Sequence, residues 1–161
     1  MAFDATVFKT RTLSAILFGI IMLVGLFSNE WAFIVLFFVI HFLCLREYTA
    51  IVSSILQIPF SRNEKVNFLA TGIGLFLLVC SMPLQVCQNS VALFLQSFHF
   101  YFLGIFIGAL LIFLLFVKSK KSFYLLTGLG YISLSLGLLV QLRFQSLLLP
   151  LALILFIWMN D

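Results

Sequence analysis

The sequence predicts an all-α protein, a polytopic transmembrane helical bundle of about six spans that is truncated at the last. Three observations carry that expectation. Of the 161 residues, 64% are hydrophobic and only 9% are charged, with a mean hydropathy of +1.26. Soluble domains hold about 45–50% apolar and about 25% charged residues, so a water-soluble globule does not fit. Uncharged apolar runs recur along the whole chain, and runs such as residues 33–40 do not alternate. A β-barrel would alternate in segments of roughly ten residues.

Lys9 and Arg11 precede the first apolar run, as in a signal peptide. No small-x-small cleavage site follows near residues 26–29 and further spans come after, so the first span (12–27) reads as uncleaved. Ser28-Asn29-Glu30 forms a tight polar turn. The second span begins at Trp31, a residue suited to the headgroup level. It runs uncharged to Leu45 and continues as a helix through Arg46-Glu47-Tyr48 towards Gln57, where Pro59 stops it. Residues 60–65 read as a polar loop, 66–82 as the third span ending at Pro83, and 83–97 as an uncharged polar stretch with a short surface helix. The fourth span covers 98–117 and is closed by Lys118-Ser119-Lys120-Lys121. The fifth covers 123–142 and is followed by Arg143, and the sixth covers 147–159.

Alternate loops carry unequal charge. One side holds Lys9, Arg11, Arg62, Lys65, Lys118, Lys120 and Lys121, and the other holds Arg143 alone. Seven against one predicts a cytoplasmic N-terminus by the positive-inside rule, and six spans then bring Asn160-Asp161 to the cytoplasmic side as well. A carboxylate ending an apolar helix needs water, a cation or a donor. The chain is therefore expected to be a single membrane-embedded N-terminal portion of a larger protein, cut where its polar chemistry begins.

The formal charge of +4 is scattered, with no basic patch interleaved with exposed aromatics, so nucleic acid is not an expected partner. Cys44, Cys80 and Cys87 lack C-x-x-C spacing and read as small apolar fillers. His41 and His99 read as packed or interfacial histidines, and no metal site is expected from them. Gly72, Gly74, Gly128, Gly130 and Gly137 fall inside spans. Gly104-Ile-Phe-Ile-Gly108 is a G-x-x-x-G that reads as packing within one bundle, or in a sharper reading as a homodimer contact.

The notable intramembrane charges are Arg46 and Glu47. Fifteen residues from Trp31 to Leu45 rise about 22 Å, which puts the pair near the inner edge of a ~30 Å hydrocarbon layer. In the bland reading Arg46 snorkels to headgroups and Glu47 completes a local ion pair. In the functional reading the pair faces the bundle interior and positions an anionic headgroup or a catalytic loop. The chain has no G-x-S-x-G, H-E-x-x-H or Walker loop, and so no complete catalytic site of its own.

Taken in order, Lys9-Thr-Arg-Thr12, Leu45-Arg46-Glu47-Tyr48, Tyr131, Leu142-Arg143 and Trp158-Met159-Asn160-Asp161 resemble the bacterial phosphatidate cytidylyltransferase (CDP-diacylglycerol synthase) family. The similarity spans the chain but covers only the family's front part. In that family the W-x-N-D turn leads into a Gly- and Lys-rich cytoplasmic segment and further spans, which this chain lacks. The resemblance implies a nucleotidyltransferase: CTP plus phosphatidic acid gives CDP-diacylglycerol and pyrophosphate, with Mg²⁺ offsetting the charge of both anions. It implies that Asp161 and Asn160 open the active-site segment, that Glu47 supports it, and that Arg46 is a substrate-binding position. It also implies that most metal ligands lie in the missing part and that these 161 residues alone are inactive. The alternatives are a small multi-spanning transport or scaffold protein, which should show paired intramembrane charges or two similar halves, and a purely structural bundle.

The topology is checked by a tag after Asp161 in intact cells. It should be shielded from a membrane-impermeant reagent, and labelling from outside would mean the bundle is inverted.

Overall fold

The computed structural model describes residues 5–57, 59–82, 90–116 and 120–160, and among them every regular element is helical. The order is α1 (Ala5–Phe27), α2 (Glu30–Leu56), α3 (Arg62–Cys80), α4 (Ser90–Ser97), α5 (His99–Phe116), α6 (Lys120–Gly128), a π-helical segment (Leu129–Leu134), α7 (Ser135–Gln145) and α8 (Leu148–Asn160). The helical membrane bundle expected from composition is what the fold shows. Three stretches, Glu30–Leu56, Arg62–Cys80 and Phe123–Gln145, are long and apolar enough to cross a bilayer, while Ala15–Phe27 and His99–Ile112 are shorter apolar helices.

Local chemistry sets the helix ends. The Asn29 side chain caps α2 by accepting from the Ala32 N–H at 2.8 Å, and Glu30 in the first turn complements the helix dipole. Pro59 is not the residue that ends this helix. It stops at Leu56, and Gln57 turns the chain in the left-handed conformation (φ 55°), with Pro59 just beyond. The polar loop expected over 60–65 is half helix, because Ser61 and Glu64 form a reciprocal capping box that starts α3 at Arg62. α3 also ends at Cys80, before the expected boundary, where Ser81 folds its hydroxyl onto Leu78 O. Lys120 and Lys121 open α6 rather than closing α5, and α1 begins earlier than expected, at Ala5. The fifth span crosses as one rod but is interrupted by the π segment.

The packing centres on α3, which touches α2, α5, the π segment and α7. Along α2 the buried stripe Phe33, Phe37, His41, Leu45, Thr49, Val52 keeps helical spacing. It joins two apolar clusters. One contains Leu26, Phe33, Phe37, Phe76, Val140 and Phe144, and the other contains Leu45, Val52, Phe60, Phe68, Leu125 and Leu129. His41 sits between them.

Glycines make the closest approaches. A Cβ on Gly74 would lie 3.2 Å from the Phe106 Cα, one on Gly137 would lie 2.8 Å from the Val79 side chain, and one on Gly128 would overlap the Tyr48 ring. Gly104 and Gly108, expected to pack within the bundle, instead face open space with nothing described within 4 Å. Their face of α5 also exposes Tyr101, Ile105 and Leu111.

Gly128→Ala must therefore displace Tyr48 and should lower stability by about 1–3 kcal/mol. Gly104→Ala meets no neighbour and gains helix propensity of up to about 1 kcal/mol. Helix loss against denaturant in detergent should show the two changes with opposite sign.

Candidate functional site

Helix directions divide the charged groups between two ends. α2 finishes, α3 starts and α6 starts at one end, which therefore gathers Arg46, Glu47, Arg62, Glu64, Lys65 and the first residues of α6, Lys120 and Lys121. At the opposite end α1 meets α2 and α7 meets α8, and the only Lys or Arg among the described residues there is Arg143.

Arg46 and Glu47 are both solvent- or lipid-facing. The expectation that they face the bundle interior is therefore not met, because α2 has a single buried stripe and positions 45 and 49 occupy it. Of that motif, Tyr48 is the residue that reaches inward. Its hydroxyl donates to Tyr124 O at 2.6 Å, and its ring stacks beside Phe68 at 6.1 Å and covers Gly128. This ties the end of α2 to α6 at Tyr124, so the exposed Arg46 and Glu47 ride on an anchored turn. Sequence reasoning treated Tyr48 only as a motif letter. The signal that could have found it is its i+3 spacing from the buried Leu45.

Asn160 is the last residue of α8, and helix direction carries it towards the same charged end. Its side chain and the whole of Asp161 lie outside the described residues. Among the described residues no three His, Cys, Asp or Glu side chains converge on a point that could hold a metal ion. Cys44 and Cys80 are unpaired thiols, half-buried and buried, and Cys87 falls outside the described residues.

Two polar arrangements went unread in the sequence. In mid-bundle His41 is fully buried, with Nε2 2.9 Å from Ser133 Oγ on the π segment and its ring stacked on Phe76 at 4.8 Å. Its Nδ1 has no described partner. At the end opposite the charged one, the Gln141 amide donates to Val79 O at 2.7 Å and Cys80 O at 2.8 Å, supplying the last carbonyls of α3. There too, Ser81 Oγ pairs with His99 Nδ1 at 2.9 Å, and Arg143 donates to Leu26 O at 3.3 Å and Ser28 O at 3.4 Å.

The His41–Ser133 bond yields a test. Ser133→Ala leaves the buried imidazole without its partner and should cost about 1–3 kcal/mol, whereas the double change His41→Phe with Ser133→Ala removes both polar groups and should recover most of that loss. Chemical denaturation of the three proteins in the same detergent measures it.

A family model described as the cytidylyltransferase family matches residues 9–161 of the chain. No curated protein and no solved structure gives a match.

Proposed function

The chain belongs to the cytidylyltransferase family, and from that membership we propose that its lipid substrate is phosphatidic acid, so that CTP and phosphatidic acid give CDP-diacylglycerol and pyrophosphate. A phosphate oxygen of the lipid attacks the α-phosphorus of CTP. A new P–O bond forms there, and the bond from that phosphorus to the oxygen bridging the β-phosphate breaks, releasing pyrophosphate. Positioning and charge stabilisation dominate transfers of this kind.

The observation that carries the reading is a family match along residues 9–161 of a chain whose helices are long and apolar enough for a bilayer. The gathering of cations at one end supports it, since both reactants are anions. In this reading the exposed Arg46 and the lysines of that end attract the lipid phosphate, and Glu47 has a supporting role on the turn that Tyr48 anchors. Asn160 and Asp161 open the segment that meets the nucleotide. Mg²⁺ would offset the charge of the two anions. In this reading the charged end faces the cytosol, where CTP is found, and the seven-to-one loop charge supports it.

Membranes from cells expressing the protein should move label from the CMP portion of CTP into an organic-extractable lipid only when phosphatidic acid is added. Glu47→Ala should lower the transfer about 10–100-fold, the range typical of supporting groups around a reacting centre, with an unchanged unfolding midpoint. Transfer that ignores phosphatidic acid would remove the substrate assignment, and undiminished turnover in Glu47→Ala would favour a purely structural α2.

A further inference from the structure

The end of the bundle away from the charged cluster carries an apolar cavity of about 230 Å³ between four helices. Its walls include Phe18 and Met22 of α1, Phe37 of α2, Leu136 and Leu139 of α7, and Ile154 of α8. Apolar cavities of this kind stay dry, and one of about 150 Å³ already holds a benzene ring. The occupant is therefore hydrocarbon, and in a bilayer that hydrocarbon is an acyl chain.

Depth fixes the leaflet. At 1.5 Å per residue, Met22 lies about 8 Å from the end of α1, Phe37 about 10 Å from the start of α2, Leu139 about 9 Å from the end of α7 and Ile154 about 9 Å from the start of α8. All four distances run from the same end of the bundle, so the cavity occupies a single leaflet, whose hydrocarbon is about 15 Å deep. Arg46 is 16 residues from the start of α2, about 24 Å along the helix, so the cavity is in the other half of the membrane from the charged end.

One turn above the cavity stands Arg143, four residues after Leu139 and on the same face of α7. It donates to the carbonyls of Leu26, itself four residues after Met22, and of Ser28. Among the described residues these two carbonyl bonds are its hydrogen bonds, the acidic residue described at this end is Glu30 at the start of α2, and the planar guanidinium has further N–H donors beyond the two that these carbonyls take. Trp31, half exposed at the same end, suits the headgroup level. A half-buried cation above an apolar slot matches a lipid with a phosphate above its acyl chain.

We infer that this end binds one glycerophospholipid of the leaflet it faces, with one acyl chain in the α1–α2–α7–α8 cavity and its headgroup phosphate at Arg143. This site is separate from the one proposed to meet CTP, and it rests on the membrane fold rather than on the catalytic reading.

The test uses the full chain in mild detergent, stripped of lipid and titrated in native mass spectrometry. The probes are a phosphatidylglycerol with 16-carbon chains, the matching diacylglycerol, and inorganic phosphate. One phosphatidylglycerol should bind per chain, at least tenfold more tightly than diacylglycerol, and phosphate alone should not bind. Leu153→Trp places a large ring in the cavity from its partly exposed wall and should weaken phosphatidylglycerol at least tenfold. Arg143→Gln should bring phosphatidylglycerol down to the diacylglycerol level, and Arg143→Lys should restore part of the difference if the α1 contacts are lost with Gln. Equal binding of the two lipids by the unaltered chain, or full retention in Leu153→Trp, would overturn the inference.

Discussion

Lipid tails are as apolar as leucine, so helices in a bilayer gain little by hiding apolar surface from their surroundings, and backbones must come close enough for dispersion and polar contacts to hold them. Here that constraint falls on α3 and its partners. Gly72 admits Leu45 of α2, Gly74 lies against the backbone of α5, and Gly137 of α7 receives Val79. A methyl group at any of these points meets a neighbour that must move. With those approaches in place, the phenylalanines at positions 33, 37, 68 and 76 fill the bundle on both sides of His41.

Hydrocarbon also supplies no water to an unpaired polar group, which explains how the polar side chains between helices are used. Gln141 supplies the carbonyls that end α3, Arg143 does the same for α1, and Tyr48 for Tyr124 on α6. Each is a long side chain on one helix serving the backbone of another, so each fixes a neighbour's height as well as satisfying it. Ser133 reaches His41 from a π turn, a backbone form that recurs where a helix must present a side chain out of regular register.

The two ends of the bundle differ in chemistry, and the difference fits the cytidylyltransferase family. One end combines Arg46, Arg62, Lys65 and the α6 lysines on helix ends locked by Tyr48 and the Ser61–Glu64 box, a surface suited to drawing anions together. The other is nearly free of charge and holds a slot with a single cation above it. A cytidylyltransferase needs the first for its anionic nucleotide. The second offers a fixed contact with the surrounding bilayer.

Composition and uncharged run lengths alone determined the fold class, because burying many peptide groups in hydrocarbon leaves only helices or a closed barrel, and the runs do not alternate. The family was legible in short motifs whose order survives without knowledge of contacts. Which members of those motifs point inward was not legible. Arg46 and Glu47 are adjacent to Tyr48 in sequence, yet about 100° per residue separates them on a helix, and only the position of α6 decides that Tyr48 is the one that packs against a neighbouring helix. The same holds for the glycines: G-x-x-x-G at Gly104 is the stronger pattern, but Gly74 and Gly128 make the contacts because α5 and α6 present other faces to α3 and α2. A residue's type fixes what it can bond to, while its neighbours across the bundle, distant in sequence, fix whether it does.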